Sequence, residues 1–111
     1  MDLINKKCVP CEGGTNPLVG AELDKYVSMV RGWILAITRD SISKEYTRAD
    51  FKKAVQFVNA VAVIAEEEGH HPDILIFGYN KVKITLQTHA INGLSENDFI
   101  LAAKIDELKV Q

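Results

Sequence analysis

The order of hydrophobic periods along these 111 residues predicts an α+β, two-layer fold in which antiparallel hairpins form a sheet and three helices cover one face, in the order αββαββα. Three observations carry that expectation. Apolar residues repeat at helical spacing in three separate stretches. The runs between them are rich in apolar and β-branched residues, and the later run alternates with period two. The members of each strand pair are joined by a turn too short for the crossover that parallel strands need.

One domain is expected over 1–111, with residues 1–18 as an irregular lead-in punctuated by Pro10, Gly13, Gly14 and Pro17. A first helix is expected near Gly20, because glycine is tolerated at an N-cap. Leu23, Tyr26, Val27 and Val30 share one of its faces, and Gly32 ends it. Trp33 to Thr38 reads as a strand, Arg39-Asp40-Ser41 as a turn, and Ile42 to Tyr46 as the hairpin partner. Thr47 is the expected N-cap of the second helix, with Asp50 at the capping-box position. Phe51, Ala54, Val55, Val58, Ala62 and Ala65 supply its apolar stripe, and Gly69 suits its C′ position.

After His70-His71-Pro72 the pattern changes. Ile74 to Tyr79 and Lys81 to Thr88 form a hairpin around Asn80. Val82, Ile84 and Leu86 point one way, and Lys83, Thr85, Gln87 and His89 the other, so one face is packed and one is wet or covered by a partner. Asn92-Gly93 marks a turn. Ser95, with Asp98 three residues on, caps a third helix that buries Phe99, Ala102, Ala103, Ile105 and Leu108.

Composition excludes several classes of function. Thirteen Lys plus Arg against fifteen Asp plus Glu give a net charge of -2 with no basic block, so a general nucleic-acid binder is not expected. The 47% hydrophobic content excludes wholesale disorder. No apolar run approaches the roughly 18 residues of a membrane span, and MDLINKKCVPCEGG lacks the apolar core of a signal peptide. Two cysteines are too few for a disulfide scaffold, so a reducing cytoplasm is expected. A chain this small also favours association with copies of itself.

Chemistry concentrates in the three histidines, His70, His71 and His89, at the exit of the second helix and the end of the last strand. Both joints are compatible with one end of the sheet. Imidazole exchanges protons near neutrality. Glu66, four residues before His70, is within helical reach of it, and a carboxylate together with a helix C-terminus would favour the imidazolium. The plainer alternative is a set of ordinary surface or core imidazoles. A metal site built from the histidines with Asp98 or Glu66 is disfavoured. His70 and His71 are adjacent, Pro72 biases His71 toward extended backbone, and adjacent side chains there point to opposite faces. Cys8 and Cys11 supply half of a closed zinc site and lack the βαβ setting of a redox pair, so a structural or incidental role is expected. Trp33 and Tyr79 are expected to pack. No phosphate loop or Ser/Cys nucleophile motif is present.

Glu66-x3-His70-His71-Pro72, followed by Tyr79, His89 and Asp98, resembles the signature of the pterin-4a-carbinolamine dehydratases. CVPCEGG, Pro17-Leu18, Gly32-Trp33, AEEEGHHPDI, YNKVKITLQTH and GLSENDFILAAKID extend the resemblance over nearly the whole chain. It implies a four-stranded antiparallel sheet with three helices. It also implies dehydration of 4a-hydroxytetrahydrobiopterin, or a related 4a-hydroxytetrahydropterin, to the quinonoid dihydropterin, a step that recycles the cofactor of aromatic amino-acid hydroxylases. No cofactor and no metal are implied, and the assembly is a homodimer or homotetramer. By the same resemblance, His70 and His89 are acid/base residues, His71 leans toward substrate binding, and Glu66 stabilises the His70 imidazolium. Thr88, with the backbone of Gln87 and Ala90, contacts the pterin. Asp98 matches the signature carboxylate and is counted with the substrate-binding residues, although a capping role alone would also account for it. Animal members also act as the dimerisation cofactor of a homeodomain transcription factor. A non-catalytic interaction module is therefore the rival to an enzyme, and the intact histidines favour the enzyme.

Overall fold

The structure, a computed structural model, describes residues 3–9 and 16–108. Cys11, one of the two cysteines considered above, lies outside the described residues. A 3₁₀ turn at Leu3–Asn5 precedes α1 (Gly20–Met29), β1 (Ile34–Leu35), β2 (Ile42–Thr47), α2 (Phe51–Glu68), β3 (Asp73–Phe77), β4 (Lys81–Leu86), a second 3₁₀ turn (His89–Ile91) and α3 (Glu96–Asp106). The four strands form one antiparallel sheet in the order β1-β2-β4-β3. The two hairpins meet through β2 and β4, where Ile42 pairs with Leu86 and Tyr46 with Val82. The order of helices and strands is the expected one.

The sheet's two faces differ as period-two alternation requires. Ile42, Tyr46, Val82, Ile84 and Leu86 are buried and join one core with Leu23, Phe57, Val61, Phe99, Leu101 and Ile105 from the helices. Ser43, Glu45, Lys83 and Thr85 alternate with them on the other face. α3 is the central helix: Asn97 through Ala102 are all buried, and it packs against α1, α2 and the first 3₁₀ turn.

Several local expectations shift. α1 is capped by Val19 rather than Gly20. Thr47 does not cap α2; it ends β2 opposite Lys81, and Asp50 takes the cap by accepting the Lys53 N–H at 2.8 Å. The first strand shrinks from Trp33–Thr38 to two residues. Trp33 turns into the core and its indole N–H reaches Asp106 at 3.0 Å, while Ala36 to Arg39 fold into a turn held by the Arg39 N–H to the Ala36 carbonyl. On α2 the buried stripe is Ala54, Phe57, Val61 and Ala65, whereas Phe51 and Ala62 face outward. The later strands stop at Phe77 and Leu86, and the chain turns through Gly78 and Tyr79, both with positive φ. Tyr79 is exposed there rather than packed.

Candidate active site

The end of α2 is set by backbone conformation. Gly69 adopts φ 64°, ψ 28°, the left-handed conformation that glycine enters without a Cβ penalty, and its N–H bonds the Ala65 carbonyl. The His70 N–H bonds the same carbonyl at 3.2 Å. This abrupt stop turns His70 and His71 off the helix end toward the strand that follows.

His89 is delivered differently. β4 ends at Leu86, and Thr88 and Gly93 pair as an isolated antiparallel bridge. The Thr88 N–H donates to the Gly93 carbonyl at 2.8 Å, which closes a small loop around the 3₁₀ turn His89–Ile91. Asn92 finishes the loop at φ 51°, a left-handed conformation that asparagine tolerates better than most residues. His89 therefore stands on a tied loop rather than at a strand end, and it is exposed.

These two joints face a single cleft of about 390 Å³, lined by Val9, Gly69, His70, His71, Gln87, Thr88, His89, Ala90 and Asn97. That volume falls within the roughly 300–1,000 Å³ of small-molecule sites. All three histidines line it, as do Gln87, Thr88 and Ala90. A larger cleft of about 490 Å³, between the first 3₁₀ turn, α1 and α3, contains no histidine.

The carboxylates behind the histidines are arranged otherwise than the helical spacing suggested. Glu66 does not reach His70; it hydrogen-bonds His71 Nε2 at the exposed rim. His70 instead pairs with Asp98, Nε2 to Oδ1 at 2.6 Å. Asp98 closes the capping box and meets His70 at the same time, although it is too buried to line the cleft itself. Oδ2 accepts the Ser95 N–H at 3.0 Å, the capping-box bond, and also the Thr88 hydroxyl at 2.7 Å, which leaves Oδ1 for the histidine. The Ser95 hydroxyl lies 2.8 Å from the Thr88 oxygen. With the Thr88 proton directed at Asp98, Ser95 is the donor in that pair, because each hydroxyl carries one proton. Asp98 is fully buried and its oxygens accept from three groups, as a buried carboxylate requires.

This arrangement fixes the histidine. A carboxylate can only accept, so His70 donates Nε2–H to it, and Nδ1 is the ring nitrogen outside that pair, able to exchange a proton. His71 and Glu66 repeat the pairing in solvent. Among the described residues, no three His, Cys, Asp or Glu side chains are grouped to hold a metal.

Val9, Gly69 and Asn97 also line the cleft, and sequence reasoning had not singled them out for it. No local signal exists for Asn97, whose partner Val9 is 88 positions away. Nearby, Cys8 is half-buried. Burial, then the neighbouring Glu68 carboxylate, push its thiol up to about 12, so it is a thiol and not a thiolate at neutral pH.

Comparison with known proteins matches residues 16–108 to the family model described as pterin 4 alpha carbinolamine dehydratase. A relative from Nitrosospira multiformis, assigned by name to that activity, is 48% identical over 96% of this chain and 92% of its own length. The mitochondrial pterin-4-alpha-carbinolamine dehydratase 2 of Arabidopsis thaliana is 46% identical over 99% of this chain and 60% of its own longer sequence. Among solved structures, a transcriptional coactivator/pterin dehydratase from Brucella melitensis superposes with a TM-score of 0.76 at 33% identity, covering 82% of this chain and 96% of that one. A pterin dehydratase-like RuBisCO assembly factor of the α-carboxysome matches with a TM-score of 0.57 at 27% identity, over 68% of this chain and 87% of that one. With His70, His71, His89 and Asp98 gathered at one end of the sheet, Tyr79 of the same signature at the far turn of the β3–β4 hairpin, and this coverage of sequence and structure, the chain belongs to the pterin 4 alpha carbinolamine dehydratase family.

Proposed function

We propose that this protein is a hydro-lyase that removes water from 4a-hydroxytetrahydrobiopterin, or a closely related 4a-hydroxytetrahydropterin, and so returns the pterin to its redox cycle. The carrying observation is the convergence of His70, His71 and His89 on one cleft, with Asp98 buried behind His70. Dehydration breaks the bond between the ring carbon and its hydroxyl oxygen. The leaving oxygen takes a proton, and the neighbouring ring N–H gives one up as the carbon–nitrogen double bond forms. One proton enters and one leaves, and no electrons are exchanged with the protein. A proton donor and a proton acceptor suffice, each worth roughly 10²–10⁴-fold.

His70 and His89 fill those two roles on our reading. His70, held through Nε2 by Asp98, exchanges its proton at Nδ1. His71, paired with Glu66 at the rim, binds substrate, together with Thr88 and the backbone of Gln87 and Ala90. The working form is a homodimer or homotetramer without cofactor or metal, in a reducing cytoplasm on its cysteine usage. Among the described residues, no helix is long and apolar enough to cross a membrane.

The coactivator and assembly-factor labels of the two solved relatives make a non-catalytic interaction module the second reading. A dehydratase assay separates the two. The wild type should turn over the 4a-carbinolamine, and His70→Ala should lose at least about 10²-fold in rate with its fold unchanged by circular dichroism. Absence of turnover would favour the interaction module; equal rates would remove His70 from the mechanism.

A further inference from the structure

One wall of the cleft comes from far away in sequence. Val9 is 65% exposed yet lines the cleft with the histidines. Apart from Ala90 and Gly69, the other lining residues are polar or ionisable. An exposed valine there contributes little to the core. Its backbone is nevertheless held with unusual completeness. The Asn97 carboxamide accepts the Val9 N–H through Oδ1 at 3.0 Å and donates through Nδ2 to the Val9 carbonyl at 2.5 Å. Asn97 is itself buried, at 4% exposure, so water competes little for these bonds. One residue earlier, the Cys8 N–H donates to Glu68 Oε1 at 2.8 Å, and Lys104 holds the other Glu68 oxygen at 2.7 Å. The Cys8 thiol points to the Asn97 carbonyl at 3.6 Å, and Lys6 pairs with Glu96 at 2.9 Å.

The anchor points sit beside the chemistry. Glu68 is two residues before His70, and Asn97 is one before Asp98. The segment 6–9 is therefore referenced to the same two helix ends that place the His70–Asp98 pair. Attachment of the lead-in to the domain does not need this clamp, because Leu3 is buried in the core and the Leu18 N–H bonds the Leu94 carbonyl at 2.8 Å.

We propose that Val9 is a substrate-contacting specificity residue, an apolar wall against which the non-polar part of the bound ring system packs, and that Asn97 and Glu68 are positioning residues that hold it there. This rests on the dehydratase reading above. A wall that contacts ground state and transition state alike changes KM more than kcat. The test is steady-state kinetics of the full chain on the 4a-carbinolamine, with Val9→Asp and Asn97→Ala beside the wild type and thermal unfolding recorded for each. Val9→Asp introduces a charge into the apolar contact without touching the backbone clamp. It should raise KM at least about fivefold with kcat within about twofold, and with an unchanged melting temperature. Asn97→Ala, which releases the clamp, should raise KM in the same direction. A Val9→Asp KM within about twofold of wild type overturns the wall, and a normal KM in Asn97→Ala overturns the clamp. A wild type without turnover overturns the dehydratase reading and this assignment with it, a failure distinct from an active enzyme indifferent to Val9.

Discussion

Two adjacent histidines each meet a carboxylate, and the two pairs differ in almost every physical respect. The His70–Asp98 pair joins residues 28 apart in sequence, with side chains 12% and 0% exposed. The His71–Glu66 pair joins residues five apart, with side chains 62% and 77% exposed. In the first, the carboxylate is sealed from solvent and is itself held by Thr88 and the Ser95 N–H. In the second, solvent screens the charges and two mobile side chains give up entropy to meet. The same residue types therefore do different work. The buried pair sets a tautomer, and the exposed pair sets little beyond a preferred rotamer.

The largest effect is expected from Asp98→Asn. The amide can accept from Ser95 and Thr88 with its oxygen, but its nitrogen then faces His70 and donates. His70 must accept at Nε2, so its proton moves to Nδ1 and the wrong tautomer faces the ligand. A loss of at least about 10²-fold in dehydration rate should follow, read by initial rates near neutral pH.

A third carboxylate, Glu68, shows a smaller effect of a different kind. Burial raises its pKa, but the Lys104 ammonium and the Cys8 N–H outweigh that and bring it below the ordinary carboxylate value. Glu96 is also lowered, first by its hydrogen bond from Lys6, against burial, and then by the Tyr26 hydroxyl. A carboxylate lowered on folding adds stability that is complete above its unfolded value, near 4.5, and is lost as pH falls through the folded value. The urea midpoint should therefore drop as pH is lowered below about 4.5. Glu68→Gln should lose about 1–2 kcal/mol at pH 7 and show a shallower acid limb. An acid limb as steep as wild type would rule Glu68 out as a contributor.

The smallest effect is expected from Glu66→Gln. An exposed pair is worth about 0–1 kcal/mol, so the melting temperature should hardly move and the rate should change by less than about threefold.

Much of this was legible in the sequence, for identifiable reasons. Val82, Ile84 and Leu86 alternate strictly, and Gly69 sits where a helix must stop, so the β4 face and the helix exit could be read from local pattern. α2 was ambiguous because it carries apolar residues on two sides. Phe51, Ala54 and Ala65 fit one stripe, and only packing shows that Phe57 and Val61 define the buried one while Phe51 stays outside. That the three histidines share one end of the fold could be read from the sequence, but their carboxylate partners could not. Helical spacing joined Glu66 to His70, yet the Gly69 turn takes His70 off the helix, where it meets Asp98 from α3. Asp98 read as a cap because three-residue spacing reports only one of its oxygens. The clamp of Asn97 on Val9 left no local trace, since side-chain to backbone bonds across 88 positions impose no periodicity.

The contrast between the two pairs is tested most directly by one comparison: the dehydration rates of Asp98→Asn and Glu66→Gln, measured together against wild type at neutral pH with both variants confirmed folded. The first should lose at least about 10²-fold and the second less than about threefold. Equal losses, or a larger loss in Glu66→Gln, would contradict that contrast.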